Sequence, residues 1–125
     1  MKIENRFMFN SAVCLGFLVV VLGAFGAHAL KATLSPYELS IWQTAIQYQM
    51  FHTPVILGLS FIPSNKYLDK ALTCFVSGII IFSGSLYILA ISGIKILGMV
   101  TPIGGVILII AWVLLFVAAK LNKTT

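Results

Sequence analysis

Charge is what this sequence has least of. Of 125 residues only three are acidic and eight basic, so 9% are charged while 60% are hydrophobic. A water-soluble domain carries about a quarter charged side chains, which points this chain to lipid. The acids are confined to Glu4, Glu38 and Asp69, and none falls inside a long apolar run. Two functions are disfavoured at once: nucleophilic catalysis through a histidine oriented by a buried carboxylate, and proton-coupled export through an intramembrane acid. The two cysteines, Cys14 and Cys74, are too few for a disulfide framework and are read as reduced, buried core residues. The two histidines, His28 and His52, sit at different depths, roughly 16 Å apart along the membrane normal at 1.5 Å per helical residue. With no thiolate or carboxylate nearby to complete a set, no metal or other cofactor is expected. The bases, which give a net charge of +5, form no cluster interleaved with aromatics, so no nucleic-acid partner is expected.

What is present between the scattered charges is apolar. Four charge-free windows run over Phe7–Leu30, Leu39–Asn65, Ala71–Ile94 and Ile96–Ala119. Each exceeds the about 20 residues that a helix needs to cross the hydrocarbon core. Strand-period alternation is absent and backbone groups must be paired in lipid, so the spans are helices. The expectation is an all-α integral membrane protein, an antiparallel bundle of four transmembrane helices. A single domain covers 1–125, with spans near 7–28, 40–62, 68–91 and 102–119. Four spans place Lys2, Arg6, Lys66, Lys70, Lys120 and Lys123 on one side against Lys31 and Lys95 on the other. The positive-inside rule then puts both termini in the cytoplasm of a bacterial inner membrane. The bilayer is the expected partner, with a membrane-protein partner or a second copy as further candidates. The sequon Asn122-Lys123-Thr124 lies on the cytoplasmic tail and is read as chance.

The first run ends in Ala27-His28-Ala29, which mimics a secretory cleavage site. Its apolar stretch is longer than the roughly 7–15 residues of a signal core, so an uncleaved first span is expected. Ala12, Gly16, Gly23 and Ala27 fall on one stripe of that span and are expected to admit a neighbouring backbone. Gly78 extends a similar small-residue stripe on the third span, and Gly104 and Gly105 open the fourth. Ser35-Pro36-Tyr37-Glu38 has the form of a capping box with proline in the first turn. The helix that follows is longer than a perpendicular span needs, so either it tilts or its first turns, with Tyr37, Glu38 and Trp42, lie in the outer interface. Pro54 is expected to kink the second span. Thr101 is read as the cap of the fourth span and Pro102 as its first residue.

The second span carries the informative polar residues, "QTAIQYQMFHT" from Gln43 to Thr53. Thr44, Tyr48 and His52 are spaced i, i+4, i+8 with Gln49 at the flank, while Ile46, Met50 and Leu57 point towards lipid. Ser83, Ser85 and Tyr87 on the third span, Thr101 on the fourth and His28 on the first lie in the same outer half. Two readings stay open. In one, these groups bond helix to helix and define the fold. In the other, His28, Thr44, Tyr48, Gln49, His52, Ser85, Tyr87 and Thr101 line a polar pocket for binding or transport of a small molecule. No catalytic constellation is present, and the chain is not read as an enzyme.

Four motifs in order, "LGAFGAHAL", "TAIQYQMFHTPVILGL", "FSGSLY" and "VTPIGG", give the chain a resemblance to the membrane family known as domain of unknown function 423, whose distant relatives include a short mitochondrial transmembrane protein. The resemblance covers nearly the whole chain. It implies an integral four-span protein without an established biochemical activity. The family's recurring positions correspond here to Gly23, Gly26, His28, Tyr48, Gln49, His52, Ser83, Gly84, Pro102, Gly104 and Gly105. Pro54 departs from the apolar residue expected at its place. A structural, interaction or accessory role in the membrane is the leading expectation.

Overall fold

A computed structural model describes residues 1–122. Lys123, part of the charge asymmetry, and the last two positions of the sequon lie outside the described residues. Among those described there are four α-helices and no strand: α1 (Arg6–His28), α2 (Pro36–Leu59), α3 (Lys66–Ser92) and α4 (Leu97–Leu121), with a 3₁₀ turn, Leu30–Ala32, after α1.

Each start has a local cause. Asn5 Oδ1 accepts from the Met8 amide at α1, and Asn65 Oδ1 accepts from the amides of Tyr67 and Leu68 at α3. At α2 the capping box forms as the sequence implies: Glu38 N donates to Ser35 Oγ and Ser35 N donates to Glu38 Oε2. Each such cap satisfies backbone donors that no helical partner reaches. α3 ends at Gly93, whose φ of 69° is the left-handed conformation that glycine adopts without penalty.

α4 starts earlier than expected. Turn bonds from Leu97, Gly98 and Met99 to the carbonyls of Ile94, Lys95 and Ile96 lead straight from the Gly93 reversal into the helix. Thr101 is therefore no cap: its hydroxyl donates back to the Leu97 carbonyl. Pro102 falls inside the helix, where its missing N–H removes the bond to the Gly98 carbonyl. Pro54 likewise sits within α2, which continues to Leu59.

Packing follows chain order, α1 on α2, α2 on α3 and α3 on α4. The amides of Glu4 and Asn5 both donate to the Ser60 carbonyl at 3.0 Å, which joins the start of α1 to the end of α2. Asn65 Nδ2 reaches Asn122 Oδ1 at 3.4 Å, which joins the start of α3 to the end of α4. Neighbouring helices thus run antiparallel. α1, α3 and α4 are each long and apolar enough to cross a membrane. α2 has the length but carries Gln43, Gln47, Gln49 and His52 along its middle.

The main core gathers Met8 and Ala12 from α1, Ile56 from α2, Leu72, Phe75 and Ile79 from α3, and Leu108, Ala111 and Ala118 from α4. A smaller cluster, Leu30, Trp42 and Ala90, closes the opposite end. Outside these clusters the surface is apolar, with Phe17, Val20, Ile80, Ile109 and Phe116 exposed, the pattern of a helix surface solvated by hydrocarbon. Cys14 belongs to that surface. It is exposed and Cys74 is half-buried, so neither is the buried core residue expected. Met50 does face outward, whereas Ile46 and Leu57 are half-buried against the two clusters.

The small-residue stripes divide. On α3 and α4 the approach is close: a Cβ on Gly78 would lie 2.7 Å from Leu108 Cδ2, and one on Gly104 would lie 2.5 Å from the backbone nitrogen of Phe82. Gly105 has only ordinary contact, 3.7 Å to the Phe82 ring. On α1, Ala12 is buried and Gly16 sits 3.5 Å from Thr53 Cγ2, but Gly23 meets nothing within 4 Å and Ala27 is exposed. The close approach expected at Gly23 occurs at Gly26, where a Cβ would come within 2.6 Å of Trp42 Cδ1. The reason is a bond: Trp42 Nε1 donates to the Leu22 carbonyl at 3.0 Å, and the indole reaches the α1 backbone only across a residue without a side chain. Gly26→Ala is expected to cost about 1–3 kcal/mol by overpacking, while Gly23→Ala leaves stability within about 1 kcal/mol of the wild type. Thermal unfolding of the two variants in detergent checks the contrast.

Candidate functional site

The polar stripe of α2 is built where helix periodicity turns Gln49, His52 and Thr53 inward, all buried. Gln49 uses both ends of its amide. Nε2 donates to the Leu15 carbonyl of α1 at 2.9 Å, and Oε1 accepts from Tyr87 of α3 at 2.8 Å. His52 uses both ring nitrogens. Nε2 accepts from the Trp112 indole of α4 at 3.2 Å, and Nδ1 lies 2.8 Å from the Tyr48 carbonyl. An indole N–H can only donate and a carbonyl can only accept, so the ring is the neutral tautomer with its proton on Nδ1. Ser83 of α3 donates to the Ala45 carbonyl at 2.8 Å. With Trp42 bonded to Leu22, α2 is fastened by side-chain hydrogen bonds to all three other helices.

Around this polar line stand aromatic rings. Trp42 meets Tyr87 edge-on at 4.6 Å, and His52 is ringed by Phe51, Phe75 and Trp112 at centroid distances of 5.1, 5.8 and 5.9 Å. Indole and phenol groups bury large apolar area and still demand one hydrogen-bond partner, and here they find it in α1 and α2.

The eight residues expected to line one polar pocket do not share a cavity. Gln49 and Tyr87 meet, and so do Ser85 and Thr101, whose hydroxyls are 2.6 Å apart between α3 and α4. Thr44 bonds only its own helix, at the Ser40 carbonyl. His28 is exposed at the end of α1, far along the chain axis from His52. Tyr48 is 43% exposed with its ring on Phe82, centroids 4.2 Å apart. Two of the eight, Tyr48 and His52, do line one groove. It is an open groove of about 680 Å³ between α2 and α4, beside Phe82 of α3, lined by Gln47, Tyr48, Phe51, His52, Ile109 and Trp112 among others. Its lining is mostly apolar. Among the described residues no group of three or more His, Cys, Asp or Glu side chains could hold a metal ion.

Trp42 and Trp112 were not among the expected site residues, although the sequence holds a signal for them. A tryptophan within an apolar span needs an acceptor for its N–H, and the backbone carbonyls and the imidazole of neighbouring helices are the available ones. Trp42 is 3% exposed, so its ring packs within the protein.

Long apolar helices joined by short turns, with Gln49, His52 and Thr53 of one of them turned inward, define a multi-pass α-helical membrane protein. The chain belongs to the family described as "Protein of unknown function (DUF423)", whose model matches residues 22–105. It is similar to the UPF0382 inner membrane protein YgdD of Escherichia coli strain K12, 41% identical over 118 residues, covering 92% of this chain and 90% of that protein. It is also 45% identical over 103 residues to a UPF0382 membrane protein of Staphylococcus aureus, covering 81% and 84% of the two chains. The UPF0382 membrane protein YwdK of Bacillus subtilis is 42% identical over 106 residues, covering 82% and 86%. No solved structure matches. The chain is an inner-membrane protein, and no biochemical activity attaches to these relatives.

Proposed function

We propose that the chain crosses the inner membrane four times as an antiparallel bundle, keeps both termini in the cytoplasm, and serves as a structural or accessory membrane component without catalysing a reaction. One observation carries this reading. Both ends of Gln49 and both nitrogens of His52 are bonded to protein, which leaves the two side chains holding helices in place and the imidazole with neither a free lone pair nor a free N–H for a substrate. The antiparallel packing supports four spans, because α2 lies beside α1 and α3 over its length. It gathers Lys2, Arg6, Lys66, Lys70 and Lys120 at one end and leaves Lys31 and Lys95 at the other, the bias that retains an end in the cytoplasm. A second reading, binding of a small molecule, draws on the groove of about 680 Å³ between α2 and α4, a volume within the usual range for ligand sites.

Topology and role are tested separately. A C-terminal alkaline phosphatase fusion is expected to be inactive and a C-terminal fluorescent-protein fusion bright; the reverse pair of results removes the four-span reading. Purification in mild detergent is expected to recover the protein with a stoichiometric protein companion, either another membrane protein or a second copy. A co-purified small molecule in place of any protein companion would favour the groove.

A further inference from the structure

The outward face of α2 is poorly matched to lipid. Gln43 and Gln47 are exposed there, and neither amide makes a hydrogen bond, in contrast to Gln49 one face away. At 1.5 Å per residue they stand about 10 and 16 Å below the first residue of the helix, so in a spanning α2 both lie within the membrane. An amide in hydrocarbon without a partner is strongly unfavourable. Beside the two glutamines runs a groove of about 220 Å³ shared by α1 and α2, walled by Gly23, Ala27, Trp42 and Ile46. It is also where α1 keeps its unused small residues: Gly23 meets nothing within 4 Å and Ala27 is exposed.

We propose that a second copy of this chain covers this face, in a two-fold dimer whose axis is normal to the membrane. The inference rests on the four-span reading, which puts Gln43 and Gln47 inside the bilayer. The chemistry of the amides selects the occupant. Lipid tails offer them no partner. Two copies inserted with the same topology bring each glutamine to the depth of its own counterpart, and a primary amide, with both donors and an acceptor, pairs with another amide at both ends. The face carries no charged side chain, so the two-fold sets no like charges against each other. Each copy presents a ridge, Gln43 and Gln47, and beside it a groove floored by small residues. This is the self-complementary arrangement that an isologous contact needs, and small and polar residues are the groups that drive helix association in membranes.

The test uses full-length protein in native membranes, with Cys14 and Cys74 replaced by alanine so that no other thiol reports. Gln47→Cys is expected to give a disulfide-linked dimer on mild oxidation, whereas Ile80→Cys, on the exposed face of α3, is expected to remain monomeric. Failure of Gln47→Cys to cross-link, or equal cross-linking by both, overturns the dimer. Labelling of Gln47→Cys in the same membranes with a membrane-impermeant maleimide separates the two readings. An unlabelled thiol that does not cross-link defeats the dimer alone. A thiol labelled from water defeats the four-span reading and the dimer with it. In phosphatidylethanolamine–phosphatidylglycerol vesicles, the Gln43→Leu/Gln47→Leu double variant is expected to weaken self-association at least ten-fold; undiminished association would remove the amides from the interface.

Discussion

Gly104→Ala is expected to destabilise the protein by about 1–3 kcal/mol, at the upper end of that overpacking range, while its neighbour Gly105→Ala stays within about 1 kcal/mol of the wild type. The two positions are adjacent in sequence and in the same helix, so propensity treats them alike. Their surroundings do not. A Cβ at position 104 would sit 2.5 Å from the Phe82 nitrogen and 2.8 Å from its Cα, atoms of a helical backbone that cannot rotate aside. At position 105 the nearest atom is on the Phe82 ring at 3.7 Å, an ordinary contact. Relief of the clash at 104 requires α3 and α4 to move apart, and with them the Ser85–Thr101 bond at 2.6 Å and the Gly78–Leu108 contact. Unfolding of the two variants in mixed micelles measures the difference. Equal stability would mean that α3 and α4 do not pack through this glycine.

His52→Ala is expected to cost about 2–4 kcal/mol. Its removal leaves the Trp112 indole N–H, on a partly exposed ring beside the apolar groove, without its acceptor, about 1–3 kcal/mol where no water replaces it. The space it occupied among Phe51, Phe75 and Trp112 adds a cavity penalty, because a close-packed interior collapses only in part. A histidine lining a ligand pocket would behave differently, since its partners would be water or ligand and its loss would leave the protein nearly as stable as before. Thermal melting of the purified variant distinguishes the two, and a melting temperature equal to the wild type would transfer His52 from packing to binding.

Much of the architecture was legible from where charges stop and small residues recur. The charge-free windows locate all four helices, and the capping box at Ser35 gives the start of α2 to the residue. α4 was misplaced because Thr101-Pro102 imitates a helix start so well; only the left-handed turn at Gly93 shows that the chain has re-entered a helix before reaching it. The polar stripe of α2 was legible as a stripe, but its partners were not. Helical spacing says which side chains share a face, and the depth and rotation of neighbouring helices decide which of them meet. Thus Gln49 and Tyr87 could be placed in one half of the membrane, but their mutual bond could not be foreseen. Gly23 and Gly26 show the same limit. Both are small and close in sequence, and the choice between them depends on the indole of Trp42, which is contributed by another helix.

The central claim is that the buried polar groups of α2 fasten it to its neighbours. The most direct test is a double-mutant cycle between His52→Ala and Trp112→Phe, read as unfolding free energies in mixed micelles. Their nitrogens are 3.2 Å apart across α2 and α4, and interhelical hydrogen bonds in membranes contribute on average about 0.6 and up to about 1.7 kcal/mol. A coupling energy of about 0.5–2 kcal/mol is expected, with the double variant less damaged than the sum of the single ones. Strict additivity of the two substitutions would contradict the account, because it would mean that histidine and tryptophan stand near each other without holding the helices together.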